Sequence, residues 1–328
     1  MTDKTGSRDA RTHTAFEDRL ELAAPSGARL NVYRQAAAAP ARGIVHVNHG
    51  VAEHAARYGR FARALAAAGW HVYAHDHRGH GGTRAPDAPP GVFSLGGDGI
   101  GKVMADCAAV QDHARAAHGG LPVVMFGHSM GGLIAMNHAL AHAERLAGVA
   151  VWNANLARGI AAHAARIVLG WERLRLGSDV PSRLLPRLTF AAWAKAAGDG
   201  RTPFDWLSHV EAEVDAYIAD PLCGWDPSVG LWQAVFAMMR RGADVAGASA
   251  RARALPFHLV GGGKDPATAN GAAVRAQAER LRRAGFADVT VAIYPDGRHE
   301  TLNDRVAGPA TAHLLVWLDT HVRRDAAG

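Results

Sequence analysis

Cysteine is nearly absent: Cys107 and Cys223 are the two in 328 residues, far apart and in no metal-ligand spacing. That excludes a disulfide framework and makes a reducing, cytoplasmic location the expectation. No apolar run approaches the roughly 20 residues needed to span a bilayer. The first eleven residues are polar and charged, without the apolar centre of a signal peptide, and read as a tail. Although the net charge is +6, there is no Lys/Arg run, recognition-helix pattern or aromatic-basic ladder, which argues against a nucleic-acid partner. The 19 histidines fall singly and no His-Glu-x-x-His occurs, so neither a metal nor another cofactor is expected.

What the chain does have is 48% hydrophobic content, enough for one large core, arranged in an alternating pattern. Segments 20–23 and 29–34 read as edge strands of a first hairpin. Strands at 44–47, 70–74, 123–126 and 146–152 alternate with helices at 55–68, at 101–117 and immediately after Ser129. The alternation stops for about a hundred residues. It resumes with a strand from Pro256 to Val260 (256–260), a helix over 271–284, a strand over 289–294 and a last helix over 303–322. Such βα repetition predicts an α/β fold, a mostly parallel sheet between helices. The expected division is a core of 15–153 and 255–323, an inserted, mainly helical lid of 154–254 over the carboxyl ends of the strands, and flexible tails at 1–14 and 324–328.

The most informative segment is Gly127-His128-Ser129-Met130-Gly131, which follows four apolar residues and opens a helix. A serine on a sharp strand-to-helix turn needs small residues two before and two after it, and Gly127 and Gly131 meet that need. Met130 offers a backbone N–H beside the serine oxygen at the positive end of the helix. A serine hydroxyl becomes a useful nucleophile only with a histidine to take its proton and a carboxylate to orient that histidine. Asp265 follows the strand at 256–260 in a glycine-rich turn, and His299 follows the last strand. Asp296 and Glu300 compete for the acid's role, but sequence proximity to His299 is a weak argument for them. A second oxyanion donor is expected from the loop His49-Gly50-Val51, where Gly50 lets the Val51 N–H face a reacting carbonyl; His49 is expected to brace this turn.

Together, His49-Gly50-Val51-Ala52-Glu53-His54, Tyr58, His75-Asp76-His77-Arg78-Gly79-His80-Gly81 and Gly127-His128-Ser129-Met130-Gly131-Gly132 resemble the monoacylglycerol lipase and lysophospholipase group of the α/β-hydrolase superfamily, over most of 15–322. The resemblance implies that fold, Ser129 as nucleophile, Asp265 and His299 as its partners, and the Val51 and Met130 amides as an oxyanion hole. It implies a covalent acyl-enzyme route to hydrolysis of a single-chain ester with an apolar acyl group. The turn Gly79-His80-Gly81-Gly82-Thr83 departs from the Gly-x-Gly-x-Ser usual in relatives, away from the three catalytic positions. A small-ester or lactone esterase, an aminopeptidase-like hydrolase and a catalytically silent binding protein remain as alternatives.

Asp76 and Arg78 are read as a pair tying down the loop after the second core strand. A metal held by His75, Asp76, His77 and His80 is disfavoured, because alternation points His75 and His77 to one side and Asp76 to the other. The insertion holds Trp171, Trp193, Trp206, Trp225 and Trp232, expected on a greasy underside, with adaptable surface from Phe236, Met238 and Met239. Its first part carries Arg158, Arg166, Arg173, Arg175, Arg183 and Arg187 among apolar residues at helical spacing. Two readings stay open there: a cap helix packed on the core, or a helix making peripheral contact with an anionic membrane surface.

Overall fold

In the computed structural model, residues 15–38, 40–157, 160–198 and 200–322 are described, with the side chains of 160–166 left aside. Both expected tails, Arg158 and the side chain of Arg166 therefore lie outside what is described.

Among the described residues, eight strands form one sheet: β1 (Asp18–Ala23), β2 (Arg29–Gln35), β3 (Gly43–Asn48), β4 (Trp70–His75), β5 (Val123–His128), β6 (Gly148–Trp152), β7 (Phe257–Gly262) and β8 (Val289–Tyr294). Their spatial order is β1-β2-β4-β3-β5-β6-β7-β8. β1 pairs antiparallel with β2, as does β2 with β4, and every other pairing is parallel. Helices are α1 (Gly59–Ala67), α2 (Gly99–His118), α3 (Met130–Ala141), α4 (Ile160–Leu176), α5 (Leu185–Leu188), α6 (Phe190–Ala196), α7 (Glu211–Ala219), α8 (Val229–Gly242), α9 (Ala250–Ala254), α10 (Ala272–Arg283) and α11 (Ala307–His321).

Central strands are buried and mainly apolar because helices cover both faces, with His46, Asn48, His75 and His258 among the buried polar exceptions. Val123 and Met125 of β5 join the layer that holds Cys107 and Val110 of α2 with Leu133 and Ile134 of α3. Val124 and Phe126, one residue out of phase, join the layer of Phe61, Leu65, Leu314 and Trp317 on α1 and α11. The period-2 alternation of β5 is thus a division between two cores.

Two helices start four residues later than the sequence expectation. The helix expected over 55–68 begins as a 3-10 turn at Ala55–Tyr58, and α-helical geometry starts at Gly59. The last helix starts at Ala307 rather than 303, because Asp304 spends its carboxylate on the N–H groups of Arg298, His209 and Arg305. That holds the chain in a loop.

Between β6 and β7 the chain leaves the sheet and forms α4 to α9. Trp206 and Trp232 are buried, but Trp171 is half exposed and faces outward, which corrects the expectation of a uniformly inward aromatic set. Met238 is likewise fully buried in the α2–α3 layer, so the adaptable surface belongs to Phe236 and Met239. Among the described residues, no helix is long and apolar enough to cross a membrane.

Candidate active site

Ser129 joins β5 to α3 at φ 53°, ψ −116°, a conformation that costs a non-glycine residue of order 1–3 kcal/mol. The turn is enforced by crowding. A Cβ on Gly127 would meet the Gly131 carbonyl oxygen at 2.0 Å, and one on Gly131 would meet the Asn48 carbonyl oxygen at 2.0 Å. The Ser129 N–H donates to the Trp152 carbonyl at 2.9 Å, which fixes the strained residue to the neighbouring strand.

The loop after β8 brings His299 Nε2 to 2.9 Å from Ser129 Oγ. Its Nδ1 lies 3.0 Å from each carboxylate oxygen of Asp265, which follows β7. Asp265 is fully buried and also accepts from the Ala267 N–H, from Thr268 Oγ1 at 2.8 Å and from Asn153 Nδ2 at 3.2 Å. Burial works against its charge, yet the His299 ring and these donors hold its carboxyl below the ordinary aspartate range. The two competitors are engaged elsewhere: Asp296 pairs with Lys264, and Glu300 with Arg57.

His49 braces the loop after β3 as expected: Nδ1 is 2.8 Å from the Gly50 carbonyl oxygen, and Nε2 accepts the His77 N–H at 2.9 Å. Burial lowers its pKa to about 4, so it is a neutral brace. Val51 and Met130 line the same cavity as Ser129. The Gly50 N–H is taken by Glu53 Oε1 at 2.6 Å.

Glu53, Arg57, His128 and Glu300 form a buried network that sequence reasoning did not assemble. Arg57 reaches Glu53 at 2.6 Å and both carboxylate oxygens of Glu300 at 2.7 Å, while Tyr58 Oη donates to Glu53 at 2.9 Å. Burial opposes both carboxylates, but the Arg57 charge keeps them below the usual glutamate range. The i, i+4 spacing of Glu53 and Arg57 was a signal for half of this network; Glu300 lies 243 positions away from Arg57, and no local pattern announces it. Asn153, at φ 49° just past β6, was also missed. A polar residue at the end of a buried strand was its one signal.

The expected pairing of Asp76 with Arg78 does not form. Asp76 accepts from Asn31 Nδ2 and from the N–H groups of Ala55 and Gly82, whereas Arg78 reaches Asp106 and Asp87. Each side chain therefore ties a different segment: Asp76 holds Asn31 and the amides of Ala55 and Gly82, and Arg78 holds Asp87 and Asp106.

Above Ser129 lies a cavity of about 510 Å³. Its walls include Leu133 of α3 and Val168, Leu188, Trp193, Val235, Phe236 and Met239 of the helices between β6 and β7. Trp206 packs on the His299 ring with centroids 4.9 Å apart. The turn at 220–225 drops beside the site, its Gly224 N–H donating to the Ala52 carbonyl at 2.9 Å. Burial pushes the nearby Cys223 thiol up, which leaves it a poor nucleophile.

A mostly parallel eight-stranded sheet whose loops bring a serine on a strained turn to a histidine and a buried aspartate defines an α/β-hydrolase. The family model described as serine aminopeptidase, S33, matches residues 39–306, and the chain belongs to that family. It is similar to the monoacylglycerol lipase of Mycolicibacterium smegmatis, 29% identical over 294 residues that cover 86% of this chain and 89% of that protein. The human monoglyceride lipase is 30% identical over 182 residues, 55% of this chain, and the match spans about half (52%) of that relative's length. A carboxyl esterase from Bacillus coagulans, solved with glycerol, shares the fold with a TM-score of 0.82 at 24% identity, covering 93% of this chain and 98% of that one.

Proposed function

We propose that the protein is a serine ester hydrolase acting on single-acyl-chain esters, with monoacylglycerols and lysophospholipids as the substrate class. The observation that carries this reading is the hydrogen-bonded line Ser129–His299–Asp265 opening into a deep cavity with mostly apolar walls. Similarity to one protein named as a monoglyceride lipase and another named as a monoacylglycerol lipase supports the substrate class.

In this mechanism Ser129 Oγ attacks the ester carbonyl as His299 Nε2 takes its proton, and Asp265 stabilises the imidazolium. The oxyanion accepts from the Val51 and Met130 amides; loss of one such donor costs about 3 to 4 kcal/mol. Gly50 is not the donor, since its N–H is held by Glu53. His299 then protonates the leaving alcohol, and a water activated by the same ring releases the acyl group from Ser129. Residues 154–254 act as the cap that supplies the acyl wall. A reducing cytoplasmic compartment suits two buried free thiols.

A peptidase on this scaffold needs an anionic anchor for a free amine. The carboxylates among the cavity-lining residues, Glu53 and Glu300, are both committed to Arg57. Peripheral membrane contact is favoured by a specific feature of α4: Ile167, Trp171 and Leu174 are 66%, 51% and 87% exposed at helical spacing, beside Arg173 and Arg175. Co-sedimentation with phosphatidylglycerol vesicles, lost in a Trp171→Ser/Leu174→Ser double variant, checks that contact.

The main test pairs a fluorophosphonate with intact-protein mass measurement and a panel of p-nitrophenyl esters, monoacylglycerols and lysophospholipids. The wild type should gain one adduct and hydrolyse the lipids, and Ser129→Ala should do neither. Folded protein without an adduct would point to a silent binding protein, and activity confined to short esters or lactones would reject the lipid reading alone.

A further inference from the structure

β4 ends at His75, and His77 follows two residues later on the loop that leaves the strand. Helix α2 lays Cys107 against this corner. The ligating atoms of the three residues lie within 4.8 Å of one another, and all three residues are 0 to 1% exposed. Buried imidazole nitrogens ordinarily find hydrogen-bond partners. Among the described residues, His75 Nε2 and both ring nitrogens of His77 have none. The Cys107 S–H donates to Asn48 Oδ1 at 3.4 Å, a contact that uses its proton and not the sulfur lone pairs.

His75 is also oriented from behind. Its Nδ1 is 3.0 Å from His46 Nε2, an outer contact of the type that fixes which nitrogen of a ligating imidazole carries the proton. Gln111 Nε2, a donor, is 3.5 Å from His46 Nδ1, so in the metal-free protein His46 Nε2 donates to His75 Nδ1 and the His75 proton sits on Nε2. A cation bound there takes its place, the ring proton moving to Nδ1. Two buried imidazoles with partnerless ring nitrogens, beside a thiol whose sulfur lone pairs are unused, make an arrangement that is costly unless something binds there.

We propose that His75, His77 and Cys107 form a metal site for a soft, closed-shell cation, zinc or cuprous copper. A thiolate and two neutral imidazoles suit such ions and do not suit magnesium or calcium, which require oxygen ligands. Binding replaces the Cys107 S–H bond with an S–metal bond, and the proton leaves to solvent. Asp76 takes no part, since it is held by Asn31, Ala55 and Gly82. The alternation that disfavoured a site built from consecutive residues therefore stands. The third ligand comes instead from a helix some thirty positions along, where no local spacing reveals it.

The site touches the catalytic region through one short chain. The His77 N–H donates to His49 Nε2 at 2.9 Å, and His49 Nδ1 holds the Gly50 carbonyl at 2.8 Å, immediately before Val51. An occupied site would stiffen the loop after β3 from its rear.

The test starts from chelator-treated full-length protein titrated with zinc sulfate, or anaerobically with cuprous ion as its acetonitrile complex. Cobalt(II) serves as the spectroscopic probe. One equivalent of zinc or copper should survive gel filtration and raise the unfolding temperature, and cobalt should give a near-ultraviolet thiolate charge-transfer band. Cys107→Ser and His77→Gln should each lose retention and band while keeping the metal-free far-ultraviolet spectrum. Cys223→Ser should keep both; it removes the thiol of a second group, His54, Asp220 and Cys223, whose ligating atoms are also within 4.8 Å. The proposal is overturned if neither ion is retained by the wild type, if stoichiometric cobalt shows no thiolate band, or if binding persists in Cys107→Ser or disappears in Cys223→Ser. Should Cys107→Ser not fold, His77→Gln and the wild-type band decide the matter.

Discussion

His128 Nε2 lies 3.0 Å from the carbonyl oxygen of His299, so the residue before Ser129 holds the backbone of the loop that delivers the imidazole. Its other nitrogen, Nδ1, is 3.4 Å from Glu53 Oε1. On the proposed mechanism His128 is a positioning residue, and His128→Gln should lower kcat by roughly 10- to 100-fold with little change in KM. A KM effect without a kcat effect would contradict this.

The same residue gives a pH signature. Burial disfavours its charged form, but the hydrogen bond and charge of Glu53, with Glu300 and the His299 carbonyl, raise its pKa above the ordinary 6.5. A raised histidine pKa stabilises the fold fully below about 6.5, and that contribution is lost as pH rises through the folded value. Urea midpoints measured from pH 5 to 9 should fall across that window for the wild type. In His128→Gln that part of the slope should be missing; equal slopes would refute the assignment.

Arg57 is the cation between two buried glutamates, its side chain 12% exposed. Arg57→Met leaves both carboxylates without it and should cost about 3–5 kcal/mol at neutral pH. Because Glu53 and Glu300 have depressed pKa values, their pairing contributes above the unfolded value of 4.5 and fades as pH falls through the lower folded values. The gap between variant and wild type should therefore narrow toward acid. Denaturant melts at pH 7 and pH 4 check it.

These two networks mark where the sequence stops being readable. Strand β8 and the edges of β3 and β5 follow from apolar runs bounded by turn residues, and Ser129 follows from the glycines around it. Those signals are local. Asp265 and His299 could be named because each trails a strand in a βα pattern, where the fold dictates the position. The Arg57–Glu300 pair and the Asn153 contact to Asp265 join separate loops, and no periodicity encodes such a meeting. The late start of α11 has the same origin, a carboxylate at 304 bound to distant amides.

Gly131→Ala tests the crowding at the turn. Its Cβ would be driven into a backbone carbonyl, an atom that cannot step aside, so a loss of about 3 kcal/mol or more and no fluorophosphonate labelling are expected. Gly308→Ala, with nothing within 4 Å of the added carbon, should be neutral or stabilised by up to about 1 kcal/mol. Thermal melts of both variants, with labelling, make the comparison. A folded, labelled Gly131→Ala would show that the turn has slack.

Met239 of α8 lines the cavity wall, so Met239→Trp should shorten it. Selectivity, measured as kcat/KM for dodecanoate over acetate esters, should drop by about 10-fold or more. An unchanged ratio would mean that the acyl chain lies elsewhere.

Ser129, Asn153, Asp265 and His299 stand at the ends of four different strands, spread over 171 positions from the first to the last. No contiguous fragment shorter than that span can therefore hold the four together. During refolding, recovery of turnover should be among the final events observed, trailing compaction and helix formation, since it waits for the last strand to dock at the far edge.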